Sequence, residues 1–165
     1  MNAKSDTFLV IAGLLGAAAY LFAENAQAQS GGGDSTVSGN GFNINNPLNI
    51  RYLATNAYNG QTGNHNGYGV YTTLAAGVRA AGLELSNHYV GAGLNTVTGI
   101  VSKWAPSTEN DTASYISDVA GRMGVAPDEA LAWPQDEVAL IQAMAFHENG
   151  YNNMADDDVA SYIAS

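Results

Sequence analysis

The stretch Ala139–Asn153 constrains this chain more than any other. Val138, Ile141, Met144 and Ala145 recur at the spacing of a helix with one buried face. Gly150 is a natural stop just beyond the last turn. Glu148 therefore falls in that last turn, where the helix dipole disfavours an anion. A carboxyl there, once partly buried, tends to keep its proton near neutral pH. That is the property a general acid needs. The plainer alternative is a solvated surface glutamate.

The rest of the chain reads as mainly α with a small β-hairpin. Asn59-Gly60 is a hairpin signal, and Gly67–Tyr71 reads as the returning strand. Leu74, Val78, Ala81 and Leu85 share a helical face capped by Thr72 or Thr73. Leu94, Val97, Val101 and Trp104 mark a second helix, stopped before Pro106. Asn110 or Asp111 caps a third, with Tyr115, Ile116, Val119 and Met123 inward and Gly124 closing it. Pro127–Trp133 reads as a short helical turn, and Asp136 starts the Glu148 helix. Asp156-Asp157-Asp158 compensates the dipole of a last short helix, Val159–Ile163. Trp104 and Trp133 read as core, and His147 as a favourable charge at a helix end.

Ahead of this domain lies an uncharged apolar run of 17 residues, Thr7–Ala23, between Lys4 and Glu24. Residues 1–26 are expected to be a transmembrane helix or a signal segment, since Ala26-Gln27-Ala28 also fits a cleavage site. Residues 27–40, rich in Gly and Ser, form a tether, and residues 41–165 the globular domain. The chain is addressed to or across a membrane, with residues 7–23 as the contact.

Charge narrows the partners. The net charge is −10, and residues 104–165 carry Arg122 alone against eleven acids. Such acidity excludes nucleic acid as a partner, because phosphate binding needs clustered Lys and Arg. No cysteine is present, and His65, His88 and His147 are scattered, so neither a metal centre nor another cofactor is expected.

Two resemblances add to this. The Glu148-Asn149-Gly150 helix end resembles the catalytic Glu-Ser-Gly of lytic transglycosylases in the lysozyme-like superfamily, with Asn149 where Ser is usual. Asn46-Pro47-Leu48-Asn49-Ile50-Arg51 resembles the Asn-Asn-Pro-Gly-Asn-Ile-Arg opening of a phage virion protein family. That likeness continues through Gln61-Thr62-Gly63, Gly69-Val70-Tyr71, Ala76–Ala80, Lys103–Pro106 and Glu109–Thr112 to His147–Gly150. Thr112-Ala113-Ser114-Tyr115 is similar to a Thr-x-x-Tyr helix beside the cleft of muramidases. In those enzymes the Glu helix comes first, so the order here implies a circular permutation.

The resemblance implies a virion-associated, membrane-anchored enzyme that cleaves peptidoglycan glycan strands, a muramidase or lytic transglycosylase, during genome delivery. Glu148 would be its acid. Arg51, Gln61, Tyr71 and Tyr115 would line the cleft. Glu109 or Asp111 would be a second carboxylate, though both also suit helix capping. Other virion proteins are expected partners. The alternatives are a non-enzymatic minor virion protein that keeps the fold as an interaction module, and a secreted or periplasmic bacterial muramidase with its signal removed.

Overall fold

A computed structural model describes residues 40–165 except Asn56 and Glu109. The anchor, the cleavage site, nearly all of the tether and the candidate Glu109 lie outside the described residues. Among those described, no helix is long and apolar enough to cross a membrane.

Six helices and one two-stranded antiparallel sheet make up the described part. In chain order they are α1 (Asn40–Asn43), β1 (Gln61–His65), β2 (Tyr68–Tyr71), α2 (Leu74–Glu84), α3 (Val97–Trp104), α4 (Thr112–Met123), α5 (Glu137–Asn149) and α6 (Asp156–Ile163). The expected mainly helical class with a small hairpin is what forms.

Local chemistry explains most boundaries. The side chain of Thr73 caps α2 by accepting from Ala76 N at 3.1 Å. Asp111 caps α4 by accepting from Ser114 N at 3.1 Å, and Gly124 ends that helix at φ 72°. Helix α3 starts at Val97 behind the Thr96 cap, so Leu94 precedes it and packs from outside. Between them, Leu85–Tyr89 form a π turn and Val90–Ala92 a 3₁₀ turn that continue α2 up to Gly93.

Three local expectations change. The hairpin turns at Asn66-Gly67, not Asn59-Gly60. Both Asn66 and Gly67 have positive φ, 52° and 88°, as a two-residue primed turn requires. Gly60 also has positive φ but lies just ahead of β1. Pro127–Trp133 contains no helix; Ala130 instead makes an isolated antiparallel bridge with Thr96.

The third change concerns α5. Its buried residues are Glu137, Leu140, Ile141, Ala143, Met144, Ala145 and Asn149, while Val138 is only half-buried. They spread around much of the helix, as expected of an element packed on several sides. Helices α1, α2, α4 and α6 all contact it. The core is continuous from Leu48 and Ile50 through Val78 and Leu85 to Ile100, Tyr115 and Val119. Each such aliphatic side chain contributes about 1.5–3 kcal/mol by leaving water.

Candidate active site at the end of the central helix

The loop that opens the domain is wound onto the end of α5. Asn46, fully buried, donates from Nδ2 to Ile50 O at 2.8 Å and Gly69 O at 2.9 Å, and accepts from Ile50 N at 2.8 Å. Asn45 Nδ2 donates to Tyr71 O at 2.9 Å. Asn149, also fully buried, donates from Nδ2 to Pro47 O at 2.8 Å and Ala145 O at 2.7 Å, and accepts from Gly41 N at 3.2 Å. The loop, the hairpin and the last turn of α5 are thus one hydrogen-bonded unit. No short polar side chain other than an amide makes two donations and an acceptance at once.

This unit aims Asn49 at Glu148. Asn49 has φ 51°, a left-handed conformation that asparagine tolerates, and its Nδ2 donates to Glu148 Oε2 at 3.0 Å. On the other oxygen, Oε1, the Tyr115 hydroxyl donates at 2.8 Å and the Trp104 indole N–H at 3.3 Å. Tyr115 comes from α4 and Trp104 from the end of α3, both nearly buried. Burial pushes the Glu148 carboxyl above its ordinary value. The three hydrogen bonds and the charge of His147 oppose that rise without cancelling it. Burial therefore favours the acid form.

Further out, the Arg51 guanidinium lies 4.8 Å from the Tyr68 ring centroid. The Tyr68 phenol is raised by burial, lowered by Arg51 and raised by Glu148, so both charges act on this face of the hairpin. The Tyr115 ring stacks on His147 with centroids 3.7 Å apart. Two open depressions, of about 630 Å³ between α5, Arg122 and Asp156 and of about 600 Å³ on α4, are not lined by Glu148.

Of the residues expected at the site, Tyr115 touches Glu148 directly, and Arg51 reaches its neighbourhood through Tyr68. Gln61 is not brought to the carboxyl by any hydrogen bond; its Nε2 donates to Leu53 O at 2.8 Å and braces the loop. Tyr71 is 2% exposed and offers no surface to a ligand. The charge of a second buried acid, Glu84, acts on it, and Glu84 accepts from Tyr58 OH. Asp111 serves as the α4 cap. Asn49 and the Trp104 N–H were not anticipated. The signal for Asn49 was its place in an Asn-Pro-x-Asn loop, where a left-handed turn is plausible. Trp104 is core, as expected, but nothing local to it foretells its hydrogen bond across 44 residues.

No family model matches the chain. It is similar to "Protein P5" of Pseudoalteromonas phage PM2, being 32% identical over 163 residues that cover 94% of this chain and 92% of that protein.

Proposed function

Since the chain belongs to the family of protein P5 of Pseudoalteromonas phage PM2, we propose that it is a virion-associated protein that cleaves peptidoglycan glycan strands from a membrane anchor at residues 7–23. The observation that carries this reading is the Glu148 carboxyl, pressed toward its acid form by burial and gripped unequally at its two oxygens.

Oε1 accepts from two ring-borne donors. Oε2 accepts from the Asn49 amide alone. The proton of the acid form resides on Oε2, the oxygen with spare capacity. In the proposed reaction Glu148 gives that proton to the glycosidic oxygen as the bond to the sugar carbon breaks. Its carboxylate, now stabilised by Tyr115, Trp104 and Asn49, then takes a proton back from the incoming hydroxyl. Within a lysozyme-like fold a single acid suffices when that hydroxyl belongs to the sugar itself, as in lytic transglycosylases. A hydrolase normally needs a second carboxylate. The partners described for Glu148 are neutral, and Asp111 is spent as a cap, so we favour the transglycosylase route.

One observation favours a non-enzymatic virion module instead. Three protein donors on a carboxylate also describe a satisfied structural knot. The net charge of −10 is likewise ill suited to an anionic wall. Incubating the full-length protein in detergent with purified sacculi, then analysing soluble fragments by mass spectrometry, separates the readings. Anhydro-sugar ends support the transglycosylase and reducing ends a hydrolase. No fragments between pH 4 and 9 leaves the structural module.

A further inference from the structure

Three ionisable side chains without a part in that reaction form a chain ending at Glu148. Arg122 Nε donates to Asp118 Oδ1 at 2.9 Å, one turn apart on α4. Asp118 Oδ2 lies 3.0 Å from His147 Nδ1. A carboxylate only accepts, so His147 Nδ1 carries the hydrogen and the ring plane is set by Asp118. That ring lies nearly parallel to Tyr115, 3.7 Å between centroids and 21° between planes. The Tyr115 hydroxyl in turn donates to Glu148 Oε1 at 2.8 Å.

His147 precedes Glu148 in α5, and adjacent helical side chains diverge by about 100°. The imidazole therefore acts on the carboxyl through Tyr115 and through its charge, without touching it. Tyr115 is also held by the core around it and at its hydroxyl: rotate the ring, and the hydrogen bond to Oε1 is lost. The ionisable groups facing this assembly are Asp118 and Arg122 on α4, Tyr68 on β2, and Tyr89 beyond α2.

We infer that His147, oriented by Asp118, is a positioning residue that clamps the Tyr115 ring so that its hydroxyl stays on Oε1 and the proton of Glu148 stays on Oε2. The inference rests on the reading of Glu148 as an acid, and it extends the site to a second layer on α4. The charge of His147 lowers the carboxyl's proton affinity, in the same direction as the Tyr115 hydrogen bond. Removing the imidazole therefore weakens two restraints on the acid form at once.

The test compares full-length wild type with His147→Ala, His147→Phe and Asp118→Asn. The Glu148 carboxyl is followed by carbon NMR against pH, with a melting curve for each variant. His147→Ala removes the stack and the charge, so Glu148 should titrate at a clearly higher pH than in wild type. His147→Phe keeps a ring on Tyr115, so its shift should be smaller. Asp118→Asn should lie between wild type and His147→Ala. On sacculi, His147→Ala should lower kcat by about 10- to 100-fold with KM unchanged, the scale of a misplaced catalytic group, and His147→Phe should recover most of it. Should His147→Ala fold and titrate at Glu148 as wild type does, the positioning role is overturned. Should wild type release no fragments while the Glu148 titration still shifts, the enzyme reading falls and the clamp stands. If His147→Ala does not fold, His147→Phe and Asp118→Asn decide: no Glu148 shift in either overturns the inference.

Discussion

Asn149 is where this chain departs from the Glu-Ser-Gly pattern it resembles, and its contacts give the reason. A serine is too short to hold Pro47 O, Ala145 O and Gly41 N together, as the amide does from a fully buried position. Asn149→Ser should therefore lower the melting temperature, at a cost of about 1–3 kcal/mol for each buried group left without a partner. Thermal unfolding checks it, and an unchanged midpoint would mean that water replaces the amide. Glu148 makes a second prediction at this scale. Burial raises its folded value above the ordinary 4.5, so the native state holds this proton more tightly than the unfolded chain. That favourable contribution is complete below the unfolded value and lost as pH rises through the folded one. Glu148→Gln has no such slope, and its unfolding free energy should fall less than that of wild type as the pH rises above about 4.5. Residue identity was legible where local chemistry decides it, as with the Thr73 and Asp111 caps. It was illegible where the partner lies far along the chain. Asn49 and Glu148 are 99 residues apart, and no periodicity links them.

At the scale of elements, the helical period and capping residues predicted α2, α4 and α5, because those signals are local. The placement of α5 was not local. A one-sided apolar stripe was expected, yet the helix is enclosed on several sides, with alanine, glutamate and asparagine among its buried residues. The choice of turn failed for a similar reason. Asn59-Gly60 and Asn66-Gly67 carry the same signal, and only the pairing of β1 with β2 selects the second. Close packing also fixes Gly77 in α2. A methyl group in a helix interior usually stabilises by about 0.4–1 kcal/mol where the backbone allows it. Here a Cβ would lie 1.7 Å from Asn45 O, so the opening loop would have to move. Gly77→Ala should instead destabilise, at or above the upper end of the about 1–3 kcal/mol typical of overpacking. Because Asn45 belongs to the same loop as Asn49, the Glu148 titration should shift as well. Urea unfolding and the carbon NMR titration read the two effects.

For the whole molecule, the proposed anchor is the apolar run of residues 7–23, joined to the domain by the Gly- and Ser-rich stretch that follows. The Gly41 N–H is already part of the fold through Asn149, so a truncation has to keep Gly41. A chain begun at Ser38 should be soluble and give a helical circular dichroism spectrum. Aggregation would show that the domain needs its N-terminal segment. Acidity remains concentrated in the second half, where Arg122 is the one Lys or Arg after Lys103, and it is held by Asp118. The most direct test of the account is the lysis of purified sacculi by wild type and by Glu148→Gln, with melting curves alongside. The Gln variant keeps the shape of the side chain but cannot give up a proton to the glycosidic oxygen. We predict that it stays folded at pH 7 and clears the wall at least about 10²–10⁴-fold more slowly, the contribution of a general acid. Equal clearance by the two proteins would contradict Glu148 as the acid, and a wild type inert from pH 4 to 9 would contradict the enzyme altogether.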